Sequence, residues 1–236
     1  MGAIHKIALA GCLIAVCRAA DLRGTAVIEK KLTRRNVTAP VGAYQRGAAV
    51  NLTATAADPL EYERSHVAVY IEGAEGSGAG AGAKSIAATI EQTHREFVPD
   101  FAVIPVGATV SFPNGDPIFH NVFSLSKPKS FDLGNYSEGE TRTVTFMKPG
   151  IVAVSCRLHP NMAATIVVSP TRWCTRADAQ GHFELNGLPP GKYTVVAWHK
   201  AAGFFRQTVV IGEGRAPAIR FVMPLTAPDL HDVAKR

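Results

Sequence analysis

One short loop, together with a single residue upstream of it, constrains how this chain can fold more than any other feature. The loop contains Cys156, His159 and Met162, and His120 lies in a separate segment well before it. Three such side chains can meet from one loop only if the chain turns sharply, and Pro160 directly after His159 favours such a turn. The fold must also bring the distant His120 to the same place.

The segments around these residues are typical of β-strands. Residues 151–155 form a short apolar run rich in β-branched side chains, which would deliver Cys156 to one end of a sheet. Residues 163–168 read as the next strand after the loop. Upstream, residues 108–112 alternate as a strand and end at the turn signal of residues 113–117, after which the first imidazole appears. The order of strand, loop and strand predicts a β-sandwich.

The four side chains supply a thiolate, two imidazoles and a thioether. This is the ligand set of a blue-copper electron-transfer site, in which two imidazoles and a thiolate lie in a plane and a weak thioether is axial. Alone, Cys156 would more often be a packing residue. Zinc also accepts thiolate and imidazole, but a thioether favours copper. We therefore predict one type 1 copper ion as cofactor, bound by His120, Cys156, His159 and Met162.

The stretch from about Phe97 to Val168 resembles a cupredoxin, and its Cys-x-x-His-Pro-x-Met loop with a His-Asn-Val segment is most similar to that of the amicyanins. The resemblance implies that His120, Cys156 and His159 are equatorial ligands and that Met162 is axial. The whole chain also resembles secreted proteins labelled as methylamine utilization or cupredoxin-domain proteins. That label implies no particular pathway.

The resemblance also implies a role for residues next to the ligands. Asn121 would tie the first-ligand segment to the Cys156 loop and so fix the orientation of the ligands.

Several apolar residues around the loop could form a collar of low polarity through which the edge of His159 reaches a partner, although each is equally compatible with ordinary core packing. These residues are Phe119, Phe123, Leu158, Pro160 and Met162.

A second pattern occupies the C-terminal part. Residues 178–198 alternate across a turn that contains Leu188-Pro189-Pro190-Gly191 and is followed by Tyr193. This pattern resembles the carboxypeptidase regulatory-like, transthyretin-like β-sandwich. The resemblance implies an interaction or stabilising module rather than a catalytic one.

The fold class is predicted as all-β. Gly and Pro are frequent, short runs of Val, Ile and Thr recur, and no long amphipathic helix is indicated. The two resemblances imply a cupredoxin Greek-key β-sandwich combined with a second, transthyretin-like β-sandwich.

The predicted domains are discontinuous. Residues 1–19 would be a signal peptide and residues 84–169 the cupredoxin domain. Residues 20–75 would join residues 171–225 in the carboxypeptidase regulatory-like sandwich, and residues 226–236 would be a loose tail. The cupredoxin domain would then be an insertion, which a fold tolerates where domain termini lie close together. Three sequential pieces are the alternative.

The N-terminus is typical of an export signal. A weakly basic head precedes the apolar run of residues 7–16, which is too short to span a bilayer, and a small-residue exit predicts cleavage after Ala19. Residues 9–12 also match a lipoprotein signal, with only a short apolar stretch before them. We expect a periplasmic or secreted protein with no membrane span.

Export leaves Cys156 and Cys174 in the mature chain. An oxidising compartment would by default favour a disulfide between them, but a disulfide would remove the thiolate that copper requires. The two hypotheses exclude each other. We expect Cys174 to be a packing residue.

The charge of the chain is mildly basic. The formal net charge is +6, without a dense cationic run beyond residues 30–35, so no nucleic-acid partner is predicted. Transient redox protein partners are expected, and an acidic one would be steered by this charge. The oligomeric state is left open.

Two functions fit this pattern. The first is a carrier of single electrons between redox partners, and the alternative is a copper chaperone, storage or interaction protein without redox turnover. An enzyme is not predicted, since Cys156 is flanked by Ser155 and Arg157 rather than by histidines, and the sequence contains no His-x-His pair for a further copper cluster.

Overall fold

The computed structural model describes residues 19–30, 32, 58, 60–73 and 86–224. The predicted signal peptide before Ala19, most of the glycine-rich junction near residues 73–83, and the predicted tail of residues 226–236 lie outside the described residues.

The described part of the chain contains seventeen strands and one short helix, α1 (Glu61–Ser65). In chain order the strands are β1 (Ala20–Ile28), β2 (Val67–Glu72), β3 (Ile86–Thr89), β4 (Glu91–Thr93), β5 (Glu96–Val98), β6 (Phe101–Pro105), β7 (Thr109–Pro113), β8 (His120–Ser126), β9 (Lys129–Tyr136), β10 (Thr141–Thr145), β11 (Gly150–Ser155), β12 (Ala163–Ser169), β13 (Cys174–Arg176), β14 (His182–Leu188), β15 (Gly191–His199), β16 (Gly203–Ile211) and β17 (Ile219–Met223).

The first β-sandwich combines strands from both ends of the described chain. Its sheets have the strand orders β14-β1-β17 and β13-β2-β15-β16. β1 pairs antiparallel with β14 and parallel with β17, while β2 lies between β13 and β15. Leu22, Ile71, Leu185, Val195 and Phe221 are buried together between the two sheets. β1 and β2 thus pair with strands that come after the middle of the chain, and the predicted division into domains stays a prediction.

The second β-sandwich is formed by the middle of the chain. Its sheets have the orders β10-β7-β3 and β6-β12-β11-β8-β9, and the hairpin of β4 and β5 lies beside them. Phe112, Val122, Val154 and Ile166 are among the side chains buried between the sheets. The prediction of an all-β chain with two sandwiches is confirmed. Within the described ranges, no helix is both long enough and apolar enough to cross a membrane.

The two sandwiches pack against each other through one sheet of each. Tyr70 and Trp198 of the first sandwich form a buried apolar cluster with Phe101 and Val167 of the second. The rings of Phe101 and Trp198 are stacked, with their centroids 6.4 Å apart. β15 is therefore covered on both faces, which explains why its residues from Val195 to His199 are all buried rather than alternating.

Polar contacts join the same two sandwiches beside this apolar cluster. The hydroxyl of Tyr62 donates to one carboxylate oxygen of Asp100 at 3.0 Å, and Nε2 of His66 lies 3.0 Å from the other. The rings of Tyr62 and His66 stack, and the ring of His66 contacts that of Phe101. The segment around α1 is thereby attached to the start of β6.

Removing the ring of Phe101 tests how much this interface contributes to stability. Phe101 is 3% exposed, so Phe101→Ala should lower the free energy of unfolding by about 3–5 kcal/mol through lost burial and a residual cavity. Phe119 is 61% exposed, and Phe119→Ala should change stability by less than about 0.5 kcal/mol. Chemical denaturation of both metal-free variants measures the difference. Equal effects would contradict the packing described above.

Candidate metal centre

Three antiparallel strands bring the predicted ligands to one edge of a sheet. β8 begins with His120, β11 ends directly before Cys156, and β12 begins directly after Met162. Ser155 at the end of β11 pairs with Phe123 of β8 on one side and with Ala163 of β12 on the other. The ends of these strands therefore lie side by side, although His120 and Cys156 are distant in sequence.

His120, Cys156 and His159 form a compact cluster. The Sγ atom of Cys156 lies 3.9 Å from Nδ1 of His120 and 3.8 Å from Nδ1 of His159, and the two nitrogens are 3.1 Å apart. A point equidistant from the three atoms is about 2 Å from each, which is close to the length of a bond from imidazole or thiolate to a first-row metal ion. Within the described residues, this is the one cluster of His, Cys, Asp or Glu side chains suited to a metal ion.

The loop that carries two of these residues is closed by its own backbone. The amide of Cys156 donates to the carbonyl of Met162 at 3.3 Å, and the amide of Met162 donates to the carbonyl of His159 at 2.9 Å. The side chain of Met162 is fully buried in the core of the second sandwich. The loop thus holds Cys156 and His159 together and directs Met162 into the core below them. The role of all four residues as metal ligands stays a prediction.

The orientation of His120 follows from a contact on the far side of its ring. Nε2 of His120 lies 2.8 Å from a carboxylate oxygen of Asp116, and both residues are buried. A carboxylate accepts hydrogen bonds, so Nε2 carries the proton and Nδ1 of the neutral ring is left with a free lone pair. That lone pair is on the side of Cys156 and His159, as a metal ligand requires.

Asp116 is itself held by backbone amides. Its carboxylate accepts hydrogen bonds from the amides of His94 at 2.7 Å and Arg95 at 2.9 Å. Burial alone would raise the pKa of Asp116, but these two amides and the ring of His120 outweigh it and lower the pKa below its usual value. The carboxylate is therefore ionised at neutral pH.

The sulfur of Cys156 receives a hydrogen bond from the predicted neighbour of the first ligand. The backbone amide of Asn121 donates to Sγ at 3.5 Å. The side-chain amide of Asn121 donates instead to Asp132 at 2.7 Å, and Asp132 forms an ion pair with Arg157 in the ligand loop. The first-ligand segment and the loop are thus joined twice, once directly and once through Asp132.

The ring of His159 lies at the surface end of the cluster. It is half-buried, whereas His120 and Cys156 are buried. Burial, the neighbouring ring of His120 and the cation of Arg95 lower the pKa of His159, which keeps the imidazole neutral and able to bind a metal ion at neutral pH.

The predicted apolar collar is only partly at the surface. Phe119 is 61% exposed, Leu158 is 47% exposed, and Pro160 is exposed as well. Phe123 is half-buried beneath the guanidinium group of Arg157, which lies 4.5 Å from its ring centroid. Met162 belongs to the core and does not reach the surface. Of the exposed residues, Leu158 and Pro160 flank His159 in the sequence, and Phe119 directly precedes His120.

Cys174 lies apart from the cluster. Both Cys156 and Cys174 are free thiols, and Cys174 packs against the apolar interface between the sandwiches. Burial raises the pKa of Cys174 to about 11. A half-buried thiol that is protonated at neutral pH is unreactive, in agreement with the prediction that Cys174 is a packing residue.

Sequence reasoning missed Asp116 and the turn at His94 and Arg95. The turn signal at residues 113–117 was visible, but its carboxylate had no obvious partner in the sequence. His94 contributes its backbone amide rather than its side chain, so no pattern of side-chain types could have indicated it. The position of Asp116 four residues before His120 is the one available signal.

The donor set and its spacing fit a copper ion. Two imidazoles and one thiolate at nearly equal distances match the trigonal arrangement of mononuclear copper electron-transfer sites. The same three donors could also bind zinc, which prefers a fourth ligand in a tetrahedral arrangement.

Comparison with known proteins gives partial likenesses. No family model and no curated protein matches the chain. A copper-containing nitrite reductase from Thermus scotoductus is 30% identical over 34% of this chain and 22% of its own length, with a TM-score of 0.33. A purple cupredoxin from Nitrosopumilus maritimus is 26% identical over 35% of this chain and 99% of its own, with a TM-score of 0.32.

A reduced amicyanin variant is 19% identical over 42% of this chain and 97% of its own, with a TM-score of 0.34. The chain spans less than a quarter of the nitrite reductase that it matches. All three TM-scores lie below 0.5, so these likenesses establish neither a family nor a function.

Met162 can be tested for a packing role that is independent of any metal. In the metal-free protein, Met162→Ala should lower the free energy of unfolding by about 2–5 kcal/mol, because the side chain is fully buried. Met147 is 68% exposed, and Met147→Ala should change it by less than about 0.5 kcal/mol. Chemical denaturation separates the two. A Met162→Ala protein as stable as Met147→Ala would contradict the buried position.

Proposed function

We propose that this protein is a secreted or periplasmic type 1 copper protein that carries single electrons between redox partners. His120, Cys156, His159 and Met162 would hold the metal ion. The observation that carries the proposal is the triangle formed by two imidazole Nδ1 atoms and one sulfur around a point about 2 Å from each. A copper ion bound there would supply a one-electron couple.

The surrounding residues suit such a role because they hold the donor atoms in fixed positions. His120 and Cys156 are buried within a sandwich core, and His120 is oriented by a short hydrogen bond on its other nitrogen. The amide of Asn121 donates to the sulfur of Cys156, and this hydrogen bond would stabilise a metal-bound thiolate. A site that moves little between oxidation states favours fast electron transfer.

The half-buried ring of His159 provides the route to a partner. Phe119 and Leu158 offer exposed apolar area in the two segments that carry the ligands, and contact through such residues would exclude water from the ring. Transient docking of a redox protein at this face would place the partner next to a ligand. The mild positive charge of the chain would favour an acidic partner.

Copper is favoured over zinc by the donor set. A buried thioether at the end of the loop is a common axial ligand of copper and is absent from the usual zinc sites. Cys156 is not part of a disulfide, so its sulfur could bind the metal ion as a thiolate.

The domain arrangement belongs to the same proposal. Residues 84–169 would be a cupredoxin domain inserted into a transthyretin-like sandwich made of residues 20–75 and 171–225, and residues 1–19 would direct export. Support comes from the pairing of β1 and β2 with strands that follow the copper-binding segment. The first sandwich would position the carrier without taking part in the chemistry.

Reconstitution with copper tests this function. A chain beginning at Ala20 should bind one copper ion, show an intense visible absorption from charge transfer between the Cys156 thiolate and copper, and exchange one electron reversibly. Cys156→Ser should abolish the absorption, while the matched Cys174→Ser should retain it. Absorption spectra, metal analysis and voltammetry provide the readouts.

Other outcomes would contradict the proposal in different ways. Colourless binding of copper(I) without reversible redox turnover, or a stable zinc form, would favour the alternative of a chaperone or storage protein. Failure to bind copper at all would remove the metal site itself.

A further inference from the structure

The carboxylate of Asp116 links the candidate metal centre to the hairpin of β4 and β5. One oxygen of Asp116 lies 2.8 Å from Nε2 of His120 and 2.9 Å from the amide nitrogen of Arg95. The other oxygen accepts the amide of His94 at 2.7 Å. The residue is 8% exposed, so these contacts are largely shielded from water.

The backbone around Asp116 is also fixed. Its own amide donates to the side-chain oxygen of Asn114 at 3.0 Å, and the side-chain amide of Asn114 donates to the carbonyls of Ile118 and Tyr136. Tyr136 is the strand partner of His120. The carboxylate and the ring it contacts are therefore held by one continuous set of hydrogen bonds.

The hairpin turn is shaped around the same carboxylate. His94 and Arg95 form the two-residue turn between β4 and β5 and have φ values of 54° and 58°. Non-glycine residues are uncommon in this left-handed region, although Asn, Asp and His enter it more often than others, and two-residue hairpin turns usually contain Gly, Asn or Asp there. This strained conformation directs both amides at the carboxylate of Asp116. An ionised carboxylate forms stronger hydrogen bonds with the two amides than a neutral acceptor would, and so stabilises the turn better.

We propose that Asp116 is a positioning residue that fixes the tautomer of His120 and sets the reduction potential of the metal it would bind. The first part follows from the metal-free structure, and the second rests on the proposed function. The carboxylate holds the proton on Nε2 and directs Nδ1 towards Cys156 and His159. It also places a negative charge behind the imidazole ring.

A charge-assisted hydrogen bond to a metal-bound imidazole makes the ring a stronger electron donor. A stronger donor favours the more highly charged oxidation state of the metal, so the reduction potential falls. A neutral acceptor in the same place would give a higher potential. The amides of His94 and Arg95 donate to the same carboxylate and partly neutralise its charge. Both belong to the hairpin, and the contact of Asp116 with His120 is formed in their presence.

The tautomer can be measured first in the metal-free protein. Nitrogen and proton NMR of His120 should show a proton on Nε2 that exchanges slowly with water, and an unprotonated Nδ1. A proton on Nδ1, or rapid exchange at Nε2, would overturn the first part. This measurement does not depend on copper binding, so it separates failure of this inference from failure of the proposed function.

The potential is tested with the copper-loaded protein. Asp116→Asn should shift the equilibrium between the oxidised and reduced forms at least tenfold towards the reduced form, a rise in potential of about 59 mV for one electron. Glu138→Gln is the matched control, because it removes a carboxylate at an exposed position two residues from Tyr136, the strand partner of His120. The control should shift the equilibrium less than threefold.

Two outcomes would overturn the second part. One is an unchanged potential in Asp116→Asn together with lower stability, which would mean that Asp116 only holds the hairpin. The other is an equal shift in Asp116→Asn and Glu138→Gln, which would mean that only the total charge matters. If Asp116→Asn does not fold, the same substitution is made together with His94→Gly, because glycine relieves the strain at that positive φ.

Discussion

The geometry of the candidate centre depends on the antiparallel pairing of β11 with both β8 and β12. This pairing places the start of β8, the end of β11 and the start of β12 at one edge, so that His120 meets a loop that is distant in sequence. The loop can then be short because it joins two adjacent strands. A shift of one residue in this register would turn the inward side chains of β8 to the opposite face of the sheet and separate the cluster.

Much of the fold and of the candidate metal centre could be predicted from residue types and spacing. The strands around Cys156 and the ligand types were visible because each depends on local sequence. The burial of Val196 and Trp198 on the outer face of β15 depends on a second sandwich, although the unbroken apolar run of residues 195–198 was a signal that both faces are covered. The hydrogen bonds of Asp116 with the amides of His94 and Arg95 could not be predicted, because they require two left-handed residues in a hairpin that is distant from the ligand loop.

The arrangement combines rigid and strained features in a way that suits a metal site. The buried donors are fixed by core packing, while His94 and Arg95 adopt an unfavourable backbone conformation that charge-assisted hydrogen bonds offset. The first sandwich covers part of the outer face of the five-stranded sheet and leaves the edge near His159 accessible. Stability and access are thus provided by different parts of the molecule.

X-ray absorption at the copper edge of the reconstituted protein tests the central claim most directly, because it reports which atoms bind the metal. The account predicts a first coordination shell of one short bond to sulfur and two bonds to imidazole nitrogen, with the sulfur bond lost in Cys156→Ser. A shell of nitrogen and oxygen alone in the unsubstituted protein would contradict it.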